Sequence, residues 1–223
     1  MTKACDVRLY VLVDPDVADE RDLAMLARQA AAGGATLVQL RDKHADTRSF
    51  VARARAVGAA LAGTGVTFVI NDRVDVALAA GADGVHLGQD DMNPIDARAL
   101  LGPDAIIGLT IKNTEHVASA SLEAVDYLAV GGVFPTTSKD NPDAPVGLDG
   151  LSRLVAAIRA RGFAGPVCAI AGITLERAGA VVEAGADGVC VVSAVISSDD
   201  PQAAAQALRV RVDAALESRK ELA

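Results

Sequence analysis

At 223 residues the chain has room for one large domain or two small ones, and 51% apolar content supplies a sizeable core. Aromatics make up only 3% and Trp is absent, so Val, Ile, Leu and Ala must fill that core. A net charge of −8 argues against nucleic acid or an anionic membrane as partner, since both require a basic surface. A phosphorylated small molecule is still allowed, because a local cluster of Lys and Arg overrides the global sign. Cys5, Cys168 and Cys190 form no CxxC pair and no zinc spacing, and read as reduced thiols. Met1–Arg8 lacks the apolar core of a signal peptide, and no apolar run approaches ~18 residues, so a soluble, cytoplasmic protein is expected.

Short apolar runs alternate with stretches rich in Ala, Leu, Arg and Glu. In chain order a strand is predicted at Leu9–Val13 and a helix at Glu20–Ala32, then Thr36–Leu40 with Arg48–Ala62. Val66–Ile70 is followed by Val74–Ala80, Gly84–Leu87 by Pro94–Leu101, and Ala105–Leu109 by Glu115–Leu122. The last three pairs are Tyr127–Val130 with Leu151–Ala160, Val167–Ile170 with Leu175–Glu183, and Gly188–Val192 with Gln202–Glu217. The strands are near-continuously apolar, as parallel strands buried on both faces must be. Helix ends carry their own signals: Asn93-Pro94 reads as N-cap and first turn, Thr174 precedes Leu175, and Gly33, Gly63, Gly81, Gly162 and Gly185 close helices.

Eight such pairs predict an α/β (βα)₈ TIM barrel, a single domain over residues 1–223. The alternative, a doubly wound open sheet, lacks a Gly-x-Gly-x-x-Gly turn after the first strand. The pentapeptide Gly-Ala-Asp-Gly-Val recurs at Gly81–Val85 and Gly185–Val189, about half a chain apart, which suggests two halves that echo each other. One long irregular stretch, Gly131–Gly147, stands between the sixth strand and its helix, and loops of that length are usually functional.

Active sites of such barrels lie at the C-terminal ends of the strands. Arg41, Lys43 and Lys139 bring three cations there from two distant loops, enough to neutralise much of a diphosphate. The competing reading of Arg41-Asp42-Lys43 is a solvated loop with local ion pairs. Asp72 and Asp91 end neighbouring strands, and two carboxylates with phosphate oxygens and waters make a Mg²⁺ site. Asn71 and Asp72 read equally as helix caps, whereas Asn93 already caps the helix after Asp91. Gly172-Ile173 and Val192-Ser193 follow the last two strands, where backbone N–H groups bind phosphate, with an ordinary tight turn as the alternative at Gly172. His86 reads as packed or pointing into the barrel, His44 and His116 as surface residues, and no Ser/His/Asp or Cys/His nucleophile emerges.

Five segments together resemble the thiamine phosphate synthase family along nearly the whole chain. They are Gln39-Leu40-Arg41-Asp42-Lys43, Ile70-Asn71-Asp72-Arg73, Gly84–Asp91, Phe134-Pro135-Thr136-Thr137-Ser138-Lys139 and Val191-Val192-Ser193-Ala194. The resemblance implies a (βα)₈ barrel that joins a hydroxymethylpyrimidine diphosphate to a thiazole phosphate, releasing pyrophosphate with Mg²⁺. It further implies that the stretch Gln39, Leu40, Arg41, Asp42 and Lys43, with Asn71 and Lys139, holds the pyrimidine diphosphate, and that Asp72 and Asp91 bind Mg²⁺. Thr136, Thr137 and Ser138 would meet the thiazole phosphate, supported by Gly172, Val192 and Ser193. Thr110 stands where the family has Ser and keeps the hydroxyl. Lys112, Gly132, Ser138 and Ala171 are further departures, the last placing a Cβ where the family turns on Gly. The rival readings are a thiazole phosphate tautomerase, which needs no diphosphate pocket, and a non-catalytic thiazole phosphate binder.

Overall fold

In the computed structural model, which describes residues 5–136 and 144–221, eight parallel strands close into a barrel in chain order. The strands are β1 (Leu9–Val13), β2 (Leu37–Leu40), β3 (Thr67–Asn71), β4 (Gly84–Leu87), β5 (Ile106–Ile111), β6 (Tyr127–Val130), β7 (Val167–Ile170) and β8 (Gly188–Val191). All are buried along nearly their whole length, as their unbroken apolar character requires. The outer layer of helices comprises α1 (Pro15–Ala18), α2 (Leu23–Ala32), α3 (Thr47–Leu61), α4 (Val74–Ala80) and α5 (Pro94–Leu101). It continues with α6 (Thr114–Ser119), α7 (Gly147–Ala160), α8 (Leu175–Glu183), α9 (Ser193–Ile196) and α10 (Pro201–Glu221).

Differences from the sequence expectation have local causes. α2 starts three residues late because Asp22 caps it, accepting from the N–H groups of Ala24 and Met25, while Asp19 and Glu20 sit at φ of 49° and 62°. α7 starts at Gly147 rather than Leu151, and α6 stops at Ser119, with a 3₁₀ turn over Leu122–Ala124. The one-turn helices α1 and α9 are additional. Asn93 caps α5 as expected, whereas Thr174 at the start of α8 makes no side-chain cap bond.

Alternation along the strands makes two cores. Val11, Val38, Leu40, Ile70 and Leu87 face outward into the helices. Tyr10, Leu12, Leu37, Val69, Tyr127, Cys168 and Cys190 fill the lumen. Burial pushes the thiols of Cys168 and Cys190 well up, so both stay protonated and neither is a nucleophile.

The N-terminal rim carries a fourfold device. A polar residue just before each even strand accepts the N–H of the first or second residue of the preceding odd strand. Thr36 takes Leu9 at 3.1 Å, Asp83 takes Phe68 at 2.8 Å, Asp126 takes Ile107 at 2.7 Å and Asp187 takes Val167 at 2.9 Å. This accounts for the two glycines and the Asp of the repeated pentapeptide. Gly81 and Gly185 lie at φ of 68° and 111°, turns that favour glycine, and the two Asp residues are staples. At Gly84 a Cβ would lie 2.6 Å from the Ile106 carbonyl carbon, and at Gly188 it would lie 2.6 Å from Arg8 Cα. Asp187 also pairs with Arg159 at 2.6 Å and Arg219 at 2.8 Å. Asp187→Ala is expected to lower stability by about 2–3 kcal/mol, because a backbone donor and two guanidinium groups lose their acceptor. Urea melts would show this, with KM unchanged, since the staple lies at the barrel end opposite the site.

Candidate active site

At the C-terminal end of the barrel the lumen opens into a cavity of about 310 Å³. Its wall takes one or more residues from the end of nearly every strand, among them Gln39 and Arg41, Asn71, Thr110, Thr136, Gly172, and Val192 with Ser193. The period of two decides which members of the β2 segment take part. Gln39 and Arg41 reach the cavity. Leu40 packs in the outer core, and the Asp42 carboxylate accepts the N–H groups of His44 and Ala45 and pairs with Arg53 of α3. The side chains of Leu40 and Asp42 are therefore structural. Thr137, Ser138 and Lys139 lie outside the described residues.

Arg41 does not stand alone. Its guanidinium pairs with Asp14, which is 1% exposed and also caps α1 by accepting the Asp16 N–H at 3.0 Å. Asp14 carries a legible signal, since Asp14-Pro15 repeats the cap-then-proline pattern of Asn93-Pro94. Lys43 pairs with Asp72, the kind of local ion pair expected of a solvated loop, and the pair adjoins the cavity through Asn71 of its wall rather than lining it.

Asp72 follows the last residue of β3 and takes φ of 61°, a left-handed conformation unusual outside glycine. It caps no helix. Arg73 holds the N-cap position of α4, and Asn71 Nδ2 donates to Asp72 Oδ2 at 2.7 Å. Asp91 turns back so that Oδ2 accepts the Gly88 N–H at 2.7 Å. Burial raises the pKa of Asp91, and hydrogen-bond contact with the Asp72 carboxyl raises it further, against the Gly88 amide and Lys43. Two carboxylates in contact, beside a wall amide and a lysine, form a donor set that fits Mg²⁺, which takes one or two carboxylates and completes its shell with water and phosphate oxygens.

Across the cavity, the start of the β6–α7 loop zips onto the end of β7: Val133 donates to the Ile170 carbonyl at 3.2 Å and Phe134 to that of Ala171 at 3.1 Å. Gly172 is required there, because at φ of 62° a Cβ would lie 2.8 Å from Phe134 Cβ. Ala171 adopts φ of 96°, a conformation that strains a Cβ-bearing residue. Ala171→Gly is expected to stabilise the fold by about 1 kcal/mol, strain relief of roughly 1–3 outweighing roughly 0.4–1 of added unfolded-chain entropy. A higher melting temperature would register it; a lower one would contradict the strain. After β8, Val192 holds the N-cap position of α9, and its carbonyl accepts the N–H groups of Val195 at 3.1 Å and Ile196 at 2.8 Å.

Tyr10 and Tyr127 sit in apolar strands and look like core, yet their hydroxyls meet beneath the cavity at 3.0 Å, a contact no sequence pattern announces. His86 is packed and lumen-facing as expected, 8% exposed, and bonds both Tyr127 and Thr110.

Residues 9–195 match the family model described as thiamine monophosphate synthase. The thiamine-phosphate synthase of Agrobacterium fabrum is 52% identical, over 96% of this chain and 98% of its own. That of Xanthobacter autotrophicus is 46% identical, over 96% and 100%. Among solved structures, thiamine phosphate pyrophosphorylase from Pyrococcus furiosus superposes with a TM-score of 0.82 at 35% identity, covering 95% of this chain and 98% of that one. No helix among the described residues is long and apolar enough to cross a membrane. A closed barrel with carboxylates and cations gathered at its C-terminal mouth, matched along its length by these relatives, belongs to the thiamine monophosphate synthase family of transferases that form thiamine phosphate.

Proposed function

We propose that the one barrel carries the whole reaction: condensation of hydroxymethylpyrimidine diphosphate with hydroxyethylthiazole phosphate, or with its carboxylated tautomer and loss of CO2, to thiamine phosphate and pyrophosphate. The observation that carries this reading is the Asp72–Asp91 contact beside Lys43, next to a wall containing the Asp14–Arg41 pair. An isomerase or a simple thiazole phosphate binder has no use for a paired-carboxylate and paired-cation mouth, because neither handles a diphosphate.

Asp72 and Asp91 would hold Mg²⁺, which supplies electrostatic stabilisation of the departing pyrophosphate. Arg41, aimed by buried Asp14, presents a planar fork to phosphate oxygens, and Lys43 adds a point charge. Lys139 is assigned to the same leaving group. Such charges act most strongly where negative charge grows as the C–O bond breaks. The electron-rich aminopyrimidine carries the resulting methylene cation, and the thiazole nitrogen captures it. Gly172, Val192 and Ser193, with Thr136, Thr137 and Ser138, anchor the thiazole phosphate so that this nitrogen faces the cation. No protein nucleophile is needed, in keeping with two buried thiols held neutral.

The direct test is incubation with both phosphorylated substrates and Mg²⁺. Thiamine phosphate and pyrophosphate in equal amounts are expected. Saturable binding of thiazole phosphate without pyrophosphate release would overturn the reading.

A further inference from the structure

The cavity rests on a run of side-chain hydrogen bonds crossing the lumen through five strands. Gln39 Nε2 of β2 donates to the Tyr10 hydroxyl of β1, which lies 3.0 Å from the Tyr127 hydroxyl of β6. That hydroxyl is 2.9 Å from His86 Nδ1 of β4, and His86 Nε2 is 2.8 Å from Thr110 Oγ1 of β5. The rings pack as firmly as they bond. His86 stacks on Tyr127 with centroids 5.5 Å apart at 28°, and Tyr10 meets Tyr127 edge-on at 5.8 Å. Gly108 leaves the space for Tyr127, whose ring would overlap a Cβ at that position.

Each link constrains the next. A tyrosine hydroxyl has one hydrogen to donate, and a neutral imidazole has one N–H. Burial pushes both tyrosines well above their ordinary pKa, so each keeps its hydrogen. Since Gln39 donates to Tyr10, Tyr10 donates to Tyr127, and Tyr127 donates to His86 Nδ1. His86 then carries its proton on Nε2 and donates to Thr110. Gln39 is left with its carbonyl oxygen as an acceptor and its second Nε2 hydrogen, and Thr110 with its own hydrogen as a donor, both residues in the cavity wall. Reversing one middle bond reverses all of them. Lumen layers of this kind are stable with aliphatic side chains alone, so a satisfied polar chain here specifies something beyond packing.

We infer that Tyr10, Tyr127 and His86 are positioning residues that lock Gln39 as an acceptor and Thr110 as a donor toward the aminopyrimidine half of the substrate. This rests on the reaction proposed above. An aminopyrimidine offers an amine N–H and ring-nitrogen lone pairs, the complement of that pair of ends. The thiazole phosphate has no exocyclic amine and does not depend on the relay.

Tyr127→Phe and Tyr10→Phe, which keep the ring and remove the link, are the variants of choice. Each is expected to raise KM for the pyrimidine diphosphate roughly tenfold and to change KM for the thiazole phosphate less than about twofold. In ¹⁵N spectra of the free protein, His86 should show the Nε2–H tautomer alone, and Tyr127→Phe should show an average of two tautomers. Equal changes in both KM values, no change in either, or a wild-type Nδ1–H tautomer would overturn the inference. The spectra need no substrate, so they decide the relay even if the wild-type chain makes no thiamine phosphate. That second result would instead refute the proposed reaction.

Discussion

Asp91→Asn is expected to lower turnover about a hundredfold or more, the scale set by removing one preorganised charge-stabilising group. The substitution is nearly isosteric, and its carbonyl can still accept the Gly88 N–H that Asp91 accepts at 2.7 Å. The fold should therefore survive, and in Mg²⁺-free buffer it should gain stability. Burial and the neighbouring Asp72 raise the folded-state pKa of Asp91. A raised carboxyl binds its proton more tightly folded than unfolded, so wild-type stability falls as pH rises from the unfolded value through the folded one. The variant escapes that loss. Its melting temperature should match the wild type in strong acid and exceed it at neutral pH. Turnover within threefold of wild type would remove Asp91 from the metal site, and a lower neutral-pH melting temperature would contradict the strained carboxyl pair.

Gly84→Ala and Gly188→Ala should each lower stability by roughly 4 kcal/mol or more. In both cases the new carbon would collide with neighbouring backbone, at Ile106 in the first and at Val7 and Arg8 in the second. Backbone inside a closed barrel cannot move aside without breaking the ladder. Gly81→Ala is the control: it has a φ of 68° but nothing within 4 Å, so about 1 kcal/mol is expected. Denaturant midpoints should rank the three accordingly, and a Gly84 variant as stable as the Gly81 variant would disprove the close approach.

The architecture was legible because strands buried on both faces leave unbroken apolar runs, and four of the eight, at Leu9, Gly84, Tyr127 and Val167, keep the expected bounds. α1 and α9 were not, since one turn is too short to carry a period. At the mouth, the legible residues were charged ones at strand ends. Polar residues inside strands were harder, because Tyr10 and Tyr127 fit an apolar pattern and a lone His86 carries no spacing. Within the contiguous motif Gln39 to Lys43, the alternation that turns the Leu40 and Asp42 side chains away from the cavity shows only in the fold.

All four rim staples join an odd strand to the even strand after it. In terms of modularity, the barrel is divided into quarters, each a strand–helix–strand cassette tied at its base, with the seams between cassettes held by ladder, packing and the ion pairs that Arg98 and Arg159 of the seam helices make with Asp126 and Asp187. Recombination between relatives should tolerate crossovers at those seams better than within a cassette, where a crossover separates a staple from the amide it holds.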